Sequence, residues 1–246
     1  MTTVFTPLYS SIDYTSIPED QLDALHSSPK LHLFNNIVCP FGHRALWTAA
    51  EVNAPFQVIE VSLKDKPASY KEKFNRYGTV PYLLDNGFAV YESAIVAQYL
   101  DTKFNDGNLH RAKDPQAASL AQLAAAKLEI RPFYVALRTG DDAAKAELKA
   151  VLTEIETIYR DHAKAFRAQG PYLLGAELSS AEINLVPFLF RFEVLLAHYH
   201  KFDFLADFPL LAAVLAAAKV RPAFQQTVRE PEYYIQAYAG YVNPSP

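Results

Sequence analysis

A change of texture near Asn105 constrains this chain more than any other feature. Before it, short apolar runs alternate with helix-compatible segments. Beyond the polar, turn-rich stretch NDGNLHRAKDP, nearly everything to about residue 229 has a helical pattern. The two textures predict an α/β domain followed by an all-α domain. The 246 residues are enough for both, and 50% are hydrophobic, so each can bury a core.

Residues 1–29 carry three prolines and many Ser and Thr without a clear period, and they read as an irregular N-terminal arm. From Leu31 the pattern sharpens. LHLF is a short strand, CPFGHRALWTAAEV a helix and FQVIEV a second strand, which makes a βαβ unit. PASYKEKFNRYG is helix-compatible, and the strands PYLLD and FAVYE meet at Asn86-Gly87, a hairpin signal because both residues tolerate positive φ. SAIVAQYLDTKF then reads as a helix with Ser93 at its N-cap. The order is βαβαββα over residues 30–106, with 107–114 as a linker.

The helical domain is expected over 115–230. PQAASLAQLAAAKLEIRPFYVAL and DDAAKAELKAVLTEIETIYRDHAKAF are long and periodic, and Gly170-Pro171 stops the second. A further helix starts at Ser179, with Glu182 at the spacing of a capping box, and another runs from about Pro209 to Lys219. The Tyr- and Pro-rich tail 231–246 is expected to cover a surface.

Net charge is −4, and Lys and Arg are scattered through the helices, which argues against nucleic acid as a partner. No uncharged apolar stretch approaches the length of a membrane span, and the first residues lack the features of a secretory signal. A single cysteine excludes an intramolecular disulfide and fits a reducing compartment, so a cytoplasmic location is expected.

That cysteine, Cys39, follows the strand LHLF and the loop NNIV and precedes Pro40, a residue favoured at the first helical position. A lone cysteine also fits a small buried hydrophobe. At a helix N-terminus, however, free N–H groups and the helix dipole stabilise a thiolate. Gly42 stands where a Cys-x-x-Cys motif would place a second thiol, so the second thiol must come from solution. Val80-Pro81 opens the third strand, and both a cis bond and a trans strand-entry proline fit it. At Glu92-Ser93 a strand runs into a helix, where Ser93 either caps the helix or also meets a ligand carboxylate.

Taken together, these residues resemble the glutathione transferase family, and within it the cysteine-type omega and lambda classes. The ordered set is Cys39-Pro40-Phe41 with Arg44 two residues past Gly42, Leu63-Lys64-Asp65-Lys66-Pro67, Val80-Pro81, and Tyr91-Glu92-Ser93-Ala94-Ile95. The resemblance implies a thioredoxin-like domain packed on an all-helical one, with glutathione as co-substrate and no metal. By position, Cys39 would bond the glutathione sulfur, Phe41 would pack nearby, and Val80 would offer backbone hydrogen bonds before a cis-Pro81. Glu92 and Ser93 would hold the γ-glutamyl end. Lys66 would meet the glycyl carboxylate, although it also fits a solvated loop lysine. His43 either tunes Cys39 or faces water.

Tyr9 and Tyr14 precede the first predicted strand, so neither matches the activating tyrosine of other classes. The implied chemistry is deglutathionylation or reduction of dehydroascorbate, disulfides or glutathionyl-ketones. Arg131, Phe133, Tyr134, Phe188 and Phe192 are candidate liners of a second-substrate pocket between the domains, although aromatic residues at helical spacing also fit a core. A homodimer is implied. Two other readings remain open: a ligand-carrying or regulatory protein of the same fold, and a conjugating or ether-cleaving transferase.

Overall fold

A computed structural model describes residues 9–167 and 170–243, so parts of the arm (residues 1–8) and of the tail (residues 244–246) lie outside the described residues. The chain divides into two compact units. One takes the residues up to Gly107 together with Pro222–Arg229, and the other takes Asn108–Arg221 and the residues from Glu230.

The first unit runs β1 (Ser11–Asp13), α1 (Glu19–Ala24), β2 (Leu31–Asn35), α2 (Pro40–Glu51), β3 (Phe56–Glu60), α3 (Ala68–Lys73), β4 (Tyr82–Asp85), β5 (Phe88–Tyr91) and α4 (Ser93–Asn105). The sheet order is β1-β3-β2-β4-β5. β3 lies parallel to both β1 and β2, while β2–β4 and β4–β5 are antiparallel. All five residues of β2 are buried because strands flank both its edges and its faces are covered. Alternation sends Phe34 and Ile59 into a core with Tyr14, Tyr70, Phe74 and Tyr82, and sends Leu33 and Val58 to the opposite face. Each such fully buried side chain stabilises the fold by roughly 1.5–3 kcal/mol.

The described part of the arm is not irregular. β1 adds an edge strand beside β3, and Tyr14 is buried in the aromatic core with its hydroxyl 3.1 Å from Ser69 Oγ. The hairpin forms at Asn86-Gly87, with φ of 48° and 80°, as this dipeptide allows.

The second unit contains α5 (Pro115–Ala126), α6 (Arg131–Thr139), α7 (Asp142–Thr157), α8 (Lys164–Arg167), α9 (Ser180–His200) and α10 (Pro209–Lys219). The predicted continuous helix from Pro115 to Leu137 breaks at Lys127–Ile130, because Pro132 has no N–H to continue a helix and suits a helix start. A π-turn at Ile158–His162 separates α7 from α8. α9 is the central helix, with Ser180–Phe192 buried without interruption. Its capping box forms as expected, and Glu182 uses both carboxylate oxygens. Oε2 accepts from the Ser179 N–H and hydroxyl at 3.0 and 2.8 Å, and Oε1 from Tyr159 Oη and the Leu173 N–H at 2.7 and 2.8 Å.

The next segment, α11 (Pro222–Gln225) with its continuation to Arg229, corrects the expected boundary at residue 230, since it belongs to the first unit. Phe224 sets its ring edge-on to Trp47 of α2 at 5.0 Å, and Thr227 reaches His43 of the same helix. The tail is also more ordered than its composition implied, because α12 (Pro231–Val242) packs Tyr234 and Tyr238 into the second unit. Among the described residues no helix is long and apolar enough to cross a membrane.

Candidate active site

Cys39 stands at the N-cap of α2, with extended backbone (φ −72°, ψ 120°) and Pro40 at the first helical position. The β2–α2 loop places it there through two backbone bonds, Cys39 N–H to the Asn36 carbonyl at 3.0 Å and His43 N–H to the Cys39 carbonyl at 2.9 Å. The residue is partly exposed. Its sulfur lies 4.0 Å from the Val80 carbonyl, the outer limit for a thiol donor, and makes no capping hydrogen bond. The Val80-Pro81 bond is cis, which decides between the two readings its sequence allowed.

A cavity of about 200 Å³ is lined by Phe41, Thr79, Val80, Pro81, Glu92 and Ser93. Five of these six residues were named from the sequence, and Thr79 is the addition. Ser93 corrects one expectation. Glu92, at φ 65°, is the N-cap of α4 without a side-chain capping bond, and Ser93 is the first helical residue. The Ser93 hydroxyl is thus available to accept from Arg44 Nη1 at 3.2 Å. The Glu92 side chain is exposed, whereas Ser93 is 7% exposed.

Arg44 is the functional neighbour whose role the sequence did not show. Only 9% exposed, its guanidinium lies over the Phe41 ring at 5.1 Å and bonds Ser93. Burial lowers its pKa to about 10, and negative charge on Cys39 acts against that fall. The i, i+3 spacing of Phe41 and Arg44 on one helix face was the available signal.

His43 neither faces water nor points into the cavity. It is fully buried, with Nε2 2.9 Å from Thr227 Oγ1 and its ring 5.1 Å from that of Phe224. Thr227 Oγ1 also reaches the Phe224 and Ala223 carbonyls, at 2.8 and 3.2 Å. Lys66 is not among the cavity liners. Its ammonium bonds the Gly78 carbonyl, two residues before Val80.

The candidate second-substrate residues divide. Phe133, Phe188 and Phe192 have no exposed surface and pack on one another in the helical core, with centroids 5.1–6.3 Å apart, so they are withdrawn as pocket liners. Tyr134 is half-buried and edge-on to Phe192, and Arg131 is exposed at the start of α6. Among the described residues no group of three His, Cys, Asp or Glu side chains is placed to hold a metal ion.

A thioredoxin-like sheet domain with a thiol at a helix N-terminus facing a cis-proline, joined in one chain to an all-helical unit, defines a class of thiol-handling proteins. The sequence matches the family description "Glutathione S-transferase, N-terminal domain" over residues 38–103 and "Glutathione S-transferase, C-terminal domain" over residues 129–227. It is 28% identical to glutathione S-transferase L3 of Arabidopsis thaliana over 231 residues, covering 88% of this chain and 92% of that one. It is 30% identical to protein IN2-1 homolog A of Oryza sativa subsp. japonica over 202 residues, covering 80% and 79%. The crystal structure of glutathione transferase Omega 3C from Trametes versicolor superimposes with a TM-score of 0.70 at 25% identity, over 91% of this chain and 95% of that one. The chain belongs to the glutathione transferase family, in its cysteine-type branch.

Proposed function

We propose that this protein is a glutathione-dependent thiol transferase that works through a mixed disulfide at Cys39. The observation that carries the reading is a partly exposed sulfur at the N-terminus of α2, beside the Val80 carbonyl and the cavity walled by Phe41, Pro81, Glu92 and Ser93. The helix dipole and the nearby Arg44 both favour negative charge on that sulfur.

In the first step the Cys39 thiolate attacks the glutathionyl sulfur of a substrate R–S–SG. The S–S bond of the substrate breaks, RS⁻ leaves and takes a proton from solvent, and Cys39–S–SG remains. In the second step the thiolate of a free glutathione attacks the sulfur of that bound glutathionyl group, which releases oxidised glutathione and returns the Cys39 thiolate. The net exchange is R–S–SG + GSH → RSH + GSSG, so one free glutathione is consumed for each thiol released. Dehydroascorbate and plain disulfides take their two electrons from two free glutathiones, whereas a glutathionyl-ketone passes its glutathionyl group to Cys39, takes a proton at carbon, and needs one.

Within this reading the γ-glutamyl carboxylate sits at the N-terminus of α4 beside Ser93, where helix N–H groups and the Arg44 cation favour an anion. Glu92 takes the ammonium of the same group. Val80, followed by cis-Pro81, offers its backbone to the cysteinyl unit, and Lys66 takes the glycyl carboxylate after exchanging its bond to Gly78. A cavity of about 200 Å³ is below the usual range for a small-molecule pocket, so it does not enclose the whole tripeptide, and the glycyl end reaches out of it toward Lys66.

The test is intact mass after incubation with oxidised glutathione. A gain of one glutathionyl unit that is reversed by a reductant and absent in Cys39→Ala supports the mechanism. A wild-type protein that forms no adduct, or a Cys39→Ser variant that keeps full thiol-transfer activity, sinks it.

A further inference from the structure

We propose that the space between the N-terminal arm and the sheet of the first unit is a ligand site of its own, for a small uncharged molecule with an apolar body and one terminal hydroxyl that meets His32. The space is a cavity of about 400 Å³, which falls within the range of small-molecule pockets. It shares no lining residue with the cavity beside Cys39. Tyr14 and Leu22 anchor the arm in the aromatic core, and next to them α1 spans the sheet on less buried side chains, Pro18, Gln21 and Ala24, which form the roof.

Strand register orders the floor. Ile12 of β1 pairs with Ile59 of β3, and two residues earlier on β3 Gln57 pairs with His32 of β2. Paired residues of parallel strands share a face, as do residues two apart on one strand, so all four belong to the face the arm covers. The two pairs lie about 6.6 Å apart along the strands. One end of the cavity is therefore aliphatic, at Ile12 and Ile59. The other is polar, at Gln57 and His32, where Ser28 joins with its hydroxyl 2.9 Å from His32 Nε2. None of the lining residues is Asp, Glu, Lys or Arg.

His32 decides what this space selects. It is 3% exposed, and while Nε2 meets Ser28, Nδ1 is buried with no hydrogen-bond partner. Buried polar atoms are almost always paired, so an unpaired one in a cavity wall favours a ligand that can bond it. Burial, with Lys30 adding to it, lowers the pKa of His32, so the ring is neutral at pH 7. In a neutral imidazole Nδ1 is either a donor or an acceptor, and the Ser28 hydroxyl is compatible with both tautomers. A ligand hydroxyl satisfies Nδ1 in either case. A carboxylate or an ammonium fits only one and finds no counter-charge in the walls. An apolar body then extends toward Ile59 and Ile12, covering the edge-strand side chain that is 38% exposed.

The experiment is calorimetric titration of the full-length protein at pH 7 with 4-propylphenol and with propylbenzene, the same body without the hydroxyl. Wild type should bind one equivalent of 4-propylphenol, about tenfold more tightly than propylbenzene, the effect of one buried hydrogen bond. His32→Phe should bring 4-propylphenol down to the affinity of propylbenzene. Ala24→Phe, which sets a ring into the cavity from an exposed position of α1, should abolish binding of both. Absence of 4-propylphenol binding, equal affinity of wild type for the two molecules, or binding that survives Ala24→Phe overturns the proposal, the last because the ligand then lies elsewhere. If His32→Phe does not fold, the wild-type comparison and Ala24→Phe decide. The titrations need no glutathione, so a protein that binds 4-propylphenol here and forms no glutathionyl adduct would refute the transferase reading and keep this site.

Discussion

Arg44 is buried beside the thiol and Glu60 is half-buried at the end of β3, and desolvation moves each toward its neutral form. Arg44 keeps its charge at neutral pH because its lowered value of about 10 is still well above it. Arg44→Gln should therefore slow alkylation of Cys39 at pH 7 by about tenfold, with Arg44→Lys recovering only part, since a lysine does not reproduce the guanidinium over Phe41. An unchanged rate in Arg44→Gln would remove Arg44 from the account of the thiolate. Glu60 carries a stability consequence with a definite sign. Its folded value is raised above the ordinary 4.5 to about 7, so its contribution to stability is complete below pH 4.5 and is lost as pH rises through 7. Glu60→Gln should consequently stabilise the fold at pH 8 by about 3 kcal/mol relative to its effect at pH 4, read from urea midpoints at the two pH values. Cys39 was legible because its local setting, strand to loop to proline, lies within a few residues. His43 was not, because its partner Thr227 lies 184 positions away and nothing local marks the contact.

Helix and turn chemistry at the element scale was legible wherever it is short-range. The Ser179 and Glu182 pair closes its box within four residues, and tertiary contacts then give the carboxylate two further donors, Tyr159 and the Leu173 N–H. Glu182→Ala leaves these buried groups unpaired and should cost about 3 kcal/mol, measured by chemical denaturation. The Asn86-Gly87 turn makes a second prediction. Gly87 has φ 80°, and a Cβ there would lie 2.7 Å from the His26 carbonyl, so Gly87→Ala should destabilise the fold by more than 1 kcal/mol in the same assay. The missed elements have equally physical causes. β1 is three residues long with every side chain exposed, so it carries no alternation, and it exists because β3 has an open edge to pair. The break before α6 was masked by an Ala- and Leu-rich run whose period continues on both sides of it.

For the whole molecule, the informative region is Pro222–Arg229, which joins the sheet-containing unit although both of its flanking segments belong to the helical one. Trp47, the one tryptophan in the chain, is fully buried against Phe224 and so reports directly on this junction. Phe224→Ala should destabilise the first unit by about 3 kcal/mol and shift Trp47 emission to the red, as water reaches the vacated space. If Trp47 emission and the urea midpoint are both unchanged, the segment is not part of that unit's core.

The sequence by itself determined the two textures, the βαβαββα order, the thiol at a helix start, the hairpin turn and the capping box. Each depends on residues a few positions apart, where propensity, capping and turn geometry act before any packing. The tertiary structure alone decided that the arm supplies an edge strand, that residues 222–229 pack on α2 and that His43 is buried. It also set Arg44 between Phe41 and Ser93. Those choices depend on which distant surfaces meet, since burial, unpaired polar groups and perturbed charges exist only once the core has formed.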